Sequence, residues 1–197
     1  MSLAIYDDVW DLDLSVCPCD QHLLDWIEAT DLRGVRIFHF GTGNHHLVGR
    51  RAAEDGRGNA VLGITAAPRE HESYVRLVVE RPEVGRIYKV LFGDIYQLDR
   101  RLLPEFEVVT LFHLCEFWSE RNAAYGAMTD RELAELLIDK LVPGGWLLLY
   151  TGSFAYDKAA AIADRLEASG RLRPAGTFAT LRLGRKPQGE PRTFGID

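Results

Sequence analysis

The sequence has few cysteines and no long apolar run. Its three cysteines, Cys17, Cys19 and Cys115, are too few to form a disulfide framework in a chain of 197 residues. No apolar stretch approaches the roughly 20 residues that a membrane-spanning helix needs, and the opening, MSLAIYDDVWDLDL, is acidic where a secretory signal is basic. A disulfide-stapled secreted protein and a membrane protein are therefore not expected, and we predict a cytoplasmic location.

Positive charge is scarce as well. The chain carries 29 Asp and Glu against 23 Lys and Arg, a formal net charge of -6, and residues 1–31 contain no Lys or Arg. Nucleic-acid binding relies on concentrated Lys and Arg, so the composition argues, although weakly, against a nucleic-acid partner. The acidic start and the mostly basic segment 171–192 are best interpreted as two solvated surface regions.

The segment CPCDQH brings Cys17, Cys19 and His22 close together in the sequence. Thiolates and an imidazole can bind zinc, but zinc signatures usually pair two such halves, and this lone CxC has no second half. Ordinary, partly buried thiols are the favoured interpretation, and the sequence predicts no metal site.

Five apolar segments, rich in branched and aromatic residues and ended by turn residues, predict buried strands. In chain order they are GVRIFHF, NAVLGIT, RIYKVLFGD, FEVVTLFHL and WLLLYTG. The later segment RLRPAGTFATLRLGRKP predicts two further strands, joined at 174–176.

Helical patterns alternate with these strands. The segment DQHLLDWIEAT predicts an amphipathic helix with Asp20 at its N-cap, and TDRELAELLIDKLV predicts one capped by Thr129 or Asp130. Further helices are predicted in NHHLVGRRAAEDG, beginning near Asn44, in AAPREHESYVRLVVERP and in AYDKAAAIADRLEASG. Strands that alternate with helices form a parallel sheet covered on both faces. We therefore predict one α/β domain over 1–197, with a helical and acidic segment at 1–34, a core at 35–186 and a tail at 187–197.

This architecture also locates a binding site. Ligands of such sheets bind at the carboxyl ends of the strands, where the strand order reverses. The turns there are 40–46, 65–68, 93–96 and 112–118. Gly41 and Gly43 allow close backbone approach, and the N–H groups of the next helix suit a carboxylate or phosphate.

The order of these pieces resembles the class I S-adenosylmethionine-dependent methyltransferases, from residue 35 to about residue 186. The motifs that carry the resemblance are HFGTGNH after the first strand, VLGITAAP, FGDIYQL, FEVVTLFHL and LLIDKLVPGGWLLLY. The resemblance implies a three-layer, Rossmann-like sandwich whose doubly wound, seven-stranded sheet is mostly parallel with an antiparallel last strand. It also implies S-adenosylmethionine as the cofactor.

Transferred position by position, the resemblance implies the cofactor site. The first loop would surround the methionine part, the second strand would end at the ribose, and the Gly-Asp after the third strand would meet the adenine amino group. The cofactor-binding residues implied in this way are His39, Phe40, Gly41, Thr42, Gly43, Asn44, Thr65, Ala66, Asp94, Ile95 and Phe112.

Three positions depart from the family pattern. His39 and Thr65 each stand where the family has a carboxylate, and His45 stands at the third glycine of the loop. The loss of such charge-assisted hydrogen bonds costs about 1–3 kcal/mol each. Weak binding of the usual cofactor and a loop refitted to another ligand are both consistent with these changes.

Histidines supply the candidate catalytic group. If the first and fourth strands are neighbours, His39 and His113 lie side by side at the crevice. The residues then expected nearby are His45, His46, Cys115 and Glu116. An imidazole there can act as a general base or a metal ligand, with His113 favoured and Glu116 available to orient it; alternatively, such histidines only satisfy local backbone groups. Six aromatic residues would line an acceptor pocket or pack in the core: Tyr6, Trp10, Trp26, Phe117, Trp118 and Tyr125.

Two rival functions stay open. A nicotinamide-dependent oxidoreductase needs a glycine where the sequence has His46 and a ribose-binding acid where it has Thr65. A non-catalytic module of the methyltransferase fold would explain the substituted residues directly. We expect a methyltransferase that acts on an unidentified small molecule.

Overall fold

The computed structural model describes residues 5–189, and within them the strands form one seven-stranded sheet. The strands are β1 (Arg36–Phe40), β2 (Ala60–Thr65), β3 (Tyr88–Phe92), β4 (Phe106–Thr110), β5 (Leu141–Tyr150), β6 (Arg173–Phe178) and β7 (Leu181–Arg185). The order across the sheet is β3-β2-β1-β4-β5-β7-β6. Strands β1 to β5 pair in parallel, and β7 is antiparallel to both of its neighbours. The predicted doubly wound sheet, with its antiparallel last strand, is confirmed.

Helices cover both faces of the sheet. They are α1 (Cys19–Ala29), α2 (Leu47–Glu54), α3 (Pro68–Glu80), α4 (Val84–Ile87), α5 (Glu120–Ala123), α6 (Asp130–Lys140) and α7 (Tyr156–Ala168). Side chains of α1, α2 and α3 pack in one core with Ile37 and Val108. Side chains of α6 and α7 pack in the other core with Phe38 and Val109. Because successive strand residues face opposite sides, each central strand contributes to both cores.

Local sequence explains the best-predicted helix. Thr129 is the N-cap of α6, and its side chain and that of Glu132 form a capping box. Leu133 and Leu137, one helical turn apart, are fully buried against the sheet. Of the two predicted N-cap residues, Thr129 is therefore the one that caps the helix.

Two predicted helix starts are wrong. The N-cap of α1 is Pro18, and Asp20 lies inside the first turn as a buried residue. Helix α2 begins at Leu47 instead of near Asn44. Gly43 and His46 have left-handed backbone conformations, with φ of 54° and 47°, which delay the first helical turn.

The last hairpin turns later than the sequence predicts. Strand β6 continues to Phe178 and the turn lies at Ala179 and Thr180, whereas residues 174–176 lie inside β6. The pairing of β6 with β7 shifts register between Pro174 and Thr177. An edge strand tolerates proline and glycine at such an irregularity, and β6 is an edge strand.

The ends of the chain limit two predictions. Residues 190–197, most of the predicted tail, lie outside the described residues, as do residues 1–4. Among residues 5–189, no helix combines the length and apolar character needed to cross a membrane. The cytoplasmic location and the division of the chain into segments stay predictions.

Candidate functional site

A cavity of about 300 Å³ lies at the carboxyl ends of the parallel strands, where the topology predicts a binding site. The turns after β1, β2, β3, β4 and β5 contribute to its wall. Residues of the chain before α1 also line it, among them Tyr6, Trp10 and Cys17. Its volume is at the lower end of the range for small-molecule sites.

Residues 5–17, which we call the N-terminal strap, line one side of this cavity and are hydrogen-bonded to the turns around it. The Tyr6 amide donates to the Ala66 carbonyl (3.2 Å), and the Tyr6 hydroxyl donates to the Phe117 carbonyl (3.0 Å). The Trp10 carbonyl accepts a hydrogen bond from the Asn44 amide at 2.8 Å. The strap therefore joins the turns after β1, β2 and β4 and covers the space between them.

A buried carboxylate stands beside the position where β1 lacks its expected acid. The Asp20 Oδ1 atom lies 3.5 Å from His39 Nε2, and Asp20 Oδ2 lies 3.9 Å from His45 Nδ1. Burial alone would raise the pKa of Asp20, but the imidazoles of His39 and His45 hold it below its usual value. Asp20 lines the cavity, so a negative charge is present at this end although it comes from α1.

A second carboxylate stands beside Thr65, the other position without its expected acid. The Thr65 hydroxyl donates to Glu70 Oε2 at 2.7 Å, and the Trp10 amide donates to Glu70 Oε1 at 3.2 Å. Glu70 is buried in the first turn of α3 and lines the cavity. Burial raises the pKa of Glu70 above its usual value.

Asp94 lies at the cavity with its carboxylate already hydrogen-bonded. Its Oδ1 atom accepts from the Tyr96 amide at 2.9 Å, and its Oδ2 atom accepts from Asn122 Nδ2 at 3.0 Å. The Tyr125 hydroxyl also donates to Oδ2. A ligand that donates to Asp94 would share the carboxylate with these groups.

The wall formed by the turns after β4 and β5 carries a hydrogen-bonded chain. The Ser153 hydroxyl donates to Glu116 Oε1 at 2.6 Å, and Glu116 Oε2 lies 3.1 Å from His113 Nδ1. Gly41 faces the same imidazole, and a Cβ atom on Gly41 would lie 2.9 Å from His113 Cδ2. Burial lowers the pKa of His113, whereas hydrogen bonds to Cys17 and Glu116 raise it by a larger amount. The net pKa of His113 is therefore above the usual value.

The two strap-side thiols lie next to this imidazole. The Sγ atoms of Cys17 and Cys19 are 3.4 Å apart. The hydrogen bond from Cys19 lowers the pKa of Cys17, and the nearby His113 lowers it as well. The hydrogen bond to Cys17 and burial raise the pKa of Cys19.

Most of the predicted site residues line the cavity. They are Phe40, Gly41, Gly43, Thr65, Ala66, Asp94, Ile95, His113 and Glu116. Four predicted residues are not among the cavity-lining residues that the structure describes: His39, Thr42, Asn44 and Phe112.

Each of these four has another environment. Thr42 packs against Gly63, and Phe112 lies in the core, 1% exposed. The Asn44 side chain donates to Asp11 of the strap at 3.1 Å. His39 is buried, and its Nδ1 atom lies 2.9 Å from Thr110 Oγ1.

The predicted histidine cluster is only partly present. His39 pairs with Thr110 at the end of β4, and His113 lies beyond the strand in the following turn. His46 Nδ1 lies 3.0 Å from the buried Tyr88 hydroxyl and is absent from the described lining of the cavity. Cys115 packs against the core that contains side chains of α6 and α7.

The predicted aromatic set divides between the cavity and the core. Tyr6, Trp10 and Phe117 line the cavity. Trp26 is buried, and its ring lies 5.4 Å from that of Trp146 in an edge-to-face contact. Trp118 also packs against a core, in a partly buried position.

The sequence did not reveal two groups at the cavity, Asp20 and Glu70. A local signal existed for Glu70, because an acid in the first turn of the helix after β2 points back toward the strand's end. Asp20 precedes β1 in the chain and reaches the cavity from α1. Only the tertiary structure brings it beside His39.

No protein-family model and no curated protein matches this chain in sequence. Solved structures match it in fold. The [4+2]-cyclase SpnF has a TM-score of 0.60 and 16% identity, over 95% of this chain and 88% of that one. The N-methyltransferase NodS from Bradyrhizobium japonicum, solved with S-adenosylhomocysteine, has a TM-score of 0.56 and 13% identity, over 86% of this chain and 87% of that one.

A third similar structure is longer. TrmN from Thermus thermophilus has a TM-score of 0.56 and 16% identity over 85% of this chain, and this chain spans 48% of TrmN, about half of its length. Identities this low establish the fold alone. The chain has the Rossmann-like fold of the class I methyltransferases, as the sequence motifs predict.

Proposed function

We propose that this protein is an S-adenosylmethionine-dependent methyltransferase that acts on a small molecule. The observation that carries the proposal is the pair of buried carboxylates, Glu70 and Asp20, at the cavity ends where Thr65 and His39 replace the usual acids. Fold alone does not establish activity. A matching set of polar groups in the binding crevice is the stronger argument.

Glu70 supplies a hydrogen-bond acceptor for the two hydroxyls of a ribose. Two vicinal hydroxyls donate hydrogen bonds, and a carboxylate accepts both with charge assistance. Glu70 lines the cavity at the end of β2 and already accepts one hydroxyl, that of Thr65. Its other oxygen accepts from the Trp10 amide of the strap, so a small movement of the strap would free this oxygen for the ligand.

Asp20 supplies a negative charge for the ammonium group of the methionine part. It is buried at the cavity between His39 and His45, and its pKa is held low, so the carboxylate is ionised at neutral pH. On the adenine side, Asp94 offers an acceptor and Ile95 an apolar surface, both at the cavity wall. The residues present therefore fit the cofactor, although two of them come from unexpected elements.

Methyl transfer requires little covalent help from the protein. When bound, S-adenosylmethionine supplies an electrophilic methyl carbon, and the protein mainly positions the acceptor in line with it. We propose that His113 Nε2 contacts the acceptor, because Glu116 fixes the imidazole through Nδ1 and Ser153 fixes Glu116. The raised pKa of His113 favours the protonated ring at neutral pH, so the imidazole would take a proton from the acceptor only in the fraction of molecules in which it is neutral.

The shape and charge of the entrance favour a small acceptor. The strap forms part of the cavity wall, and its acidic residues Asp8, Asp11 and Asp13 are among the lining residues. Carboxylates at the entrance repel a phosphate backbone, whereas a neutral or cationic small molecule is tolerated or attracted.

A non-catalytic module is the second candidate. One observation favours it: the Trp10 backbone of the strap already satisfies Glu70 and the Asn44 amide, at 3.2 and 2.8 Å. A strap that never opens would keep the cofactor out. The SpnF match shows that the fold is also found in a protein named for cyclase chemistry.

Calorimetry separates these possibilities. The protein is titrated with S-adenosylmethionine, with S-adenosylhomocysteine and, in a parallel run, with NADH. Micromolar binding of both adenosyl compounds and none of NADH supports the proposal. If neither adenosyl compound binds at millimolar concentration, the methyltransferase function is rejected in favour of the module, and selective binding of NADH would support the oxidoreductase.

A further inference from the structure

Three metal-ligating groups from two distant parts of the chain converge at the cavity. The Sγ atoms of Cys17 and Cys19 and a ring nitrogen of His113 all lie within 4.8 Å of one another. All three residues line the cavity. We propose that they bind one zinc ion, with a fourth coordination position open to the cavity.

The geometry is close to that of a tetrahedral site. Zinc–sulfur bonds of about 2.3 Å at the tetrahedral angle place two sulfur atoms about 3.8 Å apart. The two Sγ atoms are 3.4 Å apart, so the thiols need to separate by only a few tenths of an ångström. Cys19 is the first residue of α1 and Cys17 belongs to the strap, so rotation of the Cys17 side chain can provide this adjustment.

The surroundings of His113 support the same role. Metal-bound imidazoles usually give their other ring nitrogen to a carboxylate, which fixes the ring and the tautomer. Glu116 lies 3.1 Å from Nδ1, and Ser153 in turn donates to Glu116 at 2.6 Å. Nδ1 is thereby engaged, and Nε2 is the ring nitrogen that stays available to a metal ion.

The local charge is suited to a dication. Two further carboxylates lie next to the ligands: Asp20 Oδ1 is 3.7 Å from Cys19 Sγ, and Glu116 contacts His113. A bound zinc ion would displace the protons of both thiols, and the thiolates and carboxylates together would then balance its charge.

The sequence predicts no metal site, because CPCDQH lacks a second half. The third ligand comes instead from the turn after β4, far along the chain. His22, the histidine beside the cysteines in sequence, has another partner: its Nδ1 atom lies 2.7 Å from Thr180 Oγ1.

Three protein ligands with an open position are typical of catalytic zinc sites, whereas structural sites have four protein ligands. A thiol or hydroxyl of an acceptor would bind the open position and release its proton to solvent, which leaves an anionic nucleophile on the ion. His113 would then be a ligand and not the proton acceptor. The metal site itself does not depend on the proposed methyl transfer, because its test needs no cofactor.

Cobalt provides a spectroscopic test. Full-length protein, freed of metal and kept reduced, is titrated with Co²⁺ alone, and Zn²⁺ is then added. We expect one equivalent to give the thiolate-to-cobalt charge-transfer band and the visible bands of tetrahedral cobalt, and Zn²⁺ to abolish both. Absence of the charge-transfer band in the wild-type protein would overturn the proposal.

Variants identify the ligands. Cys17→Ser and His113→Ala should each weaken Co²⁺ binding at least 100-fold, and Glu116→Gln should weaken it about 10- to 100-fold through the orientation of His113. The matched controls Cys115→Ser and His22→Ala should bind as the wild type does. Circular dichroism and thermal unfolding establish that each variant is folded. If His113→Ala binds normally while His22→Ala does not, the assigned ligand set is wrong.

Discussion

Replacing Glu70 by glutamine tests whether a carboxylate from α3 has taken over ribose binding. Glutamine keeps the shape and one acceptor oxygen, but its NH₂ group cannot accept a hydroxyl. In the protein, Glu70 uses Oε2 for Thr65 and Oε1 for the Trp10 amide, at 2.7 and 3.2 Å. One charge-assisted hydrogen bond is worth about 1.5–3 kcal/mol, so the affinity for S-adenosylhomocysteine should fall roughly 10- to 100-fold.

Two controls separate this effect from a general disturbance. Glu72→Gln changes an exposed residue of the same helix and should leave the affinity unchanged. A 2′,3′-dideoxy analogue of S-adenosylhomocysteine should bind the wild type and Glu70→Gln equally, because it lacks the hydroxyls that Glu70 would accept.

Unfolding does not confound the experiment. Burial raises the pKa of Glu70, so its ionisation opposes folding once the pH exceeds the unfolded pKa. At neutral pH the glutamine variant should therefore be about as stable as the wild type. Calorimetric titrations within twofold of the wild type for folded Glu70→Gln would refute the ribose-binding role.

Other perturbations test further parts of the account. Asp94→Ala and Gly43→Val should each weaken S-adenosylmethionine binding about tenfold or more. The first variant removes a hydrogen-bond acceptor, and the second places a Cβ atom against the His45 imidazole at a residue with a φ of 54°. Unchanged calorimetric affinity in both variants would contradict the assigned site. Burial lowers the pKa of His46 to about 4, so between pH 6.5 and 4 the unfolded chain binds more protons than the folded protein. As the pH is lowered over that range, the free energy of unfolding should fall by about 2 kcal/mol more in the wild type than in His46→Asn. Parallel stability profiles from urea titrations would contradict this. Leu148→Ala, at a fully buried position of β5, should lower the free energy of urea unfolding by about 2–5 kcal/mol, and a loss below 1 kcal/mol would show that the core there is not packed as described.

Most of the fold could be predicted from the sequence because the sequence signals for its strands and helices are local. Apolar segments ended by turn residues predict β1 to β5, and the capping box at Thr129 predicts the start of α6. The wrong boundaries arise where backbone geometry overrides composition. The left-handed conformation of His46 delays α2, and an edge strand accommodates Pro174 that elsewhere would end a strand.

The candidate site could be predicted only in part, because its polar residues come from segments that are distant in the sequence. The glycine loop and Asp94 follow strands and could be placed by topology. Asp20 reaches the cavity from the helix before β1, and Cys17 of the strap lies next to His113 of the turn after β4. Proximity between such segments is a property of packing, which the local sequence pattern does not encode.

A crystal structure of the protein grown with S-adenosylhomocysteine tests the central claim most directly. The account predicts the compound in the cavity under the strap, with both ribose hydroxyls in hydrogen-bond contact with the Glu70 carboxylate and the ammonium group directed toward Asp20. A cavity that stays empty at millimolar ligand, with the Trp10 backbone still bonded to Glu70, would contradict it.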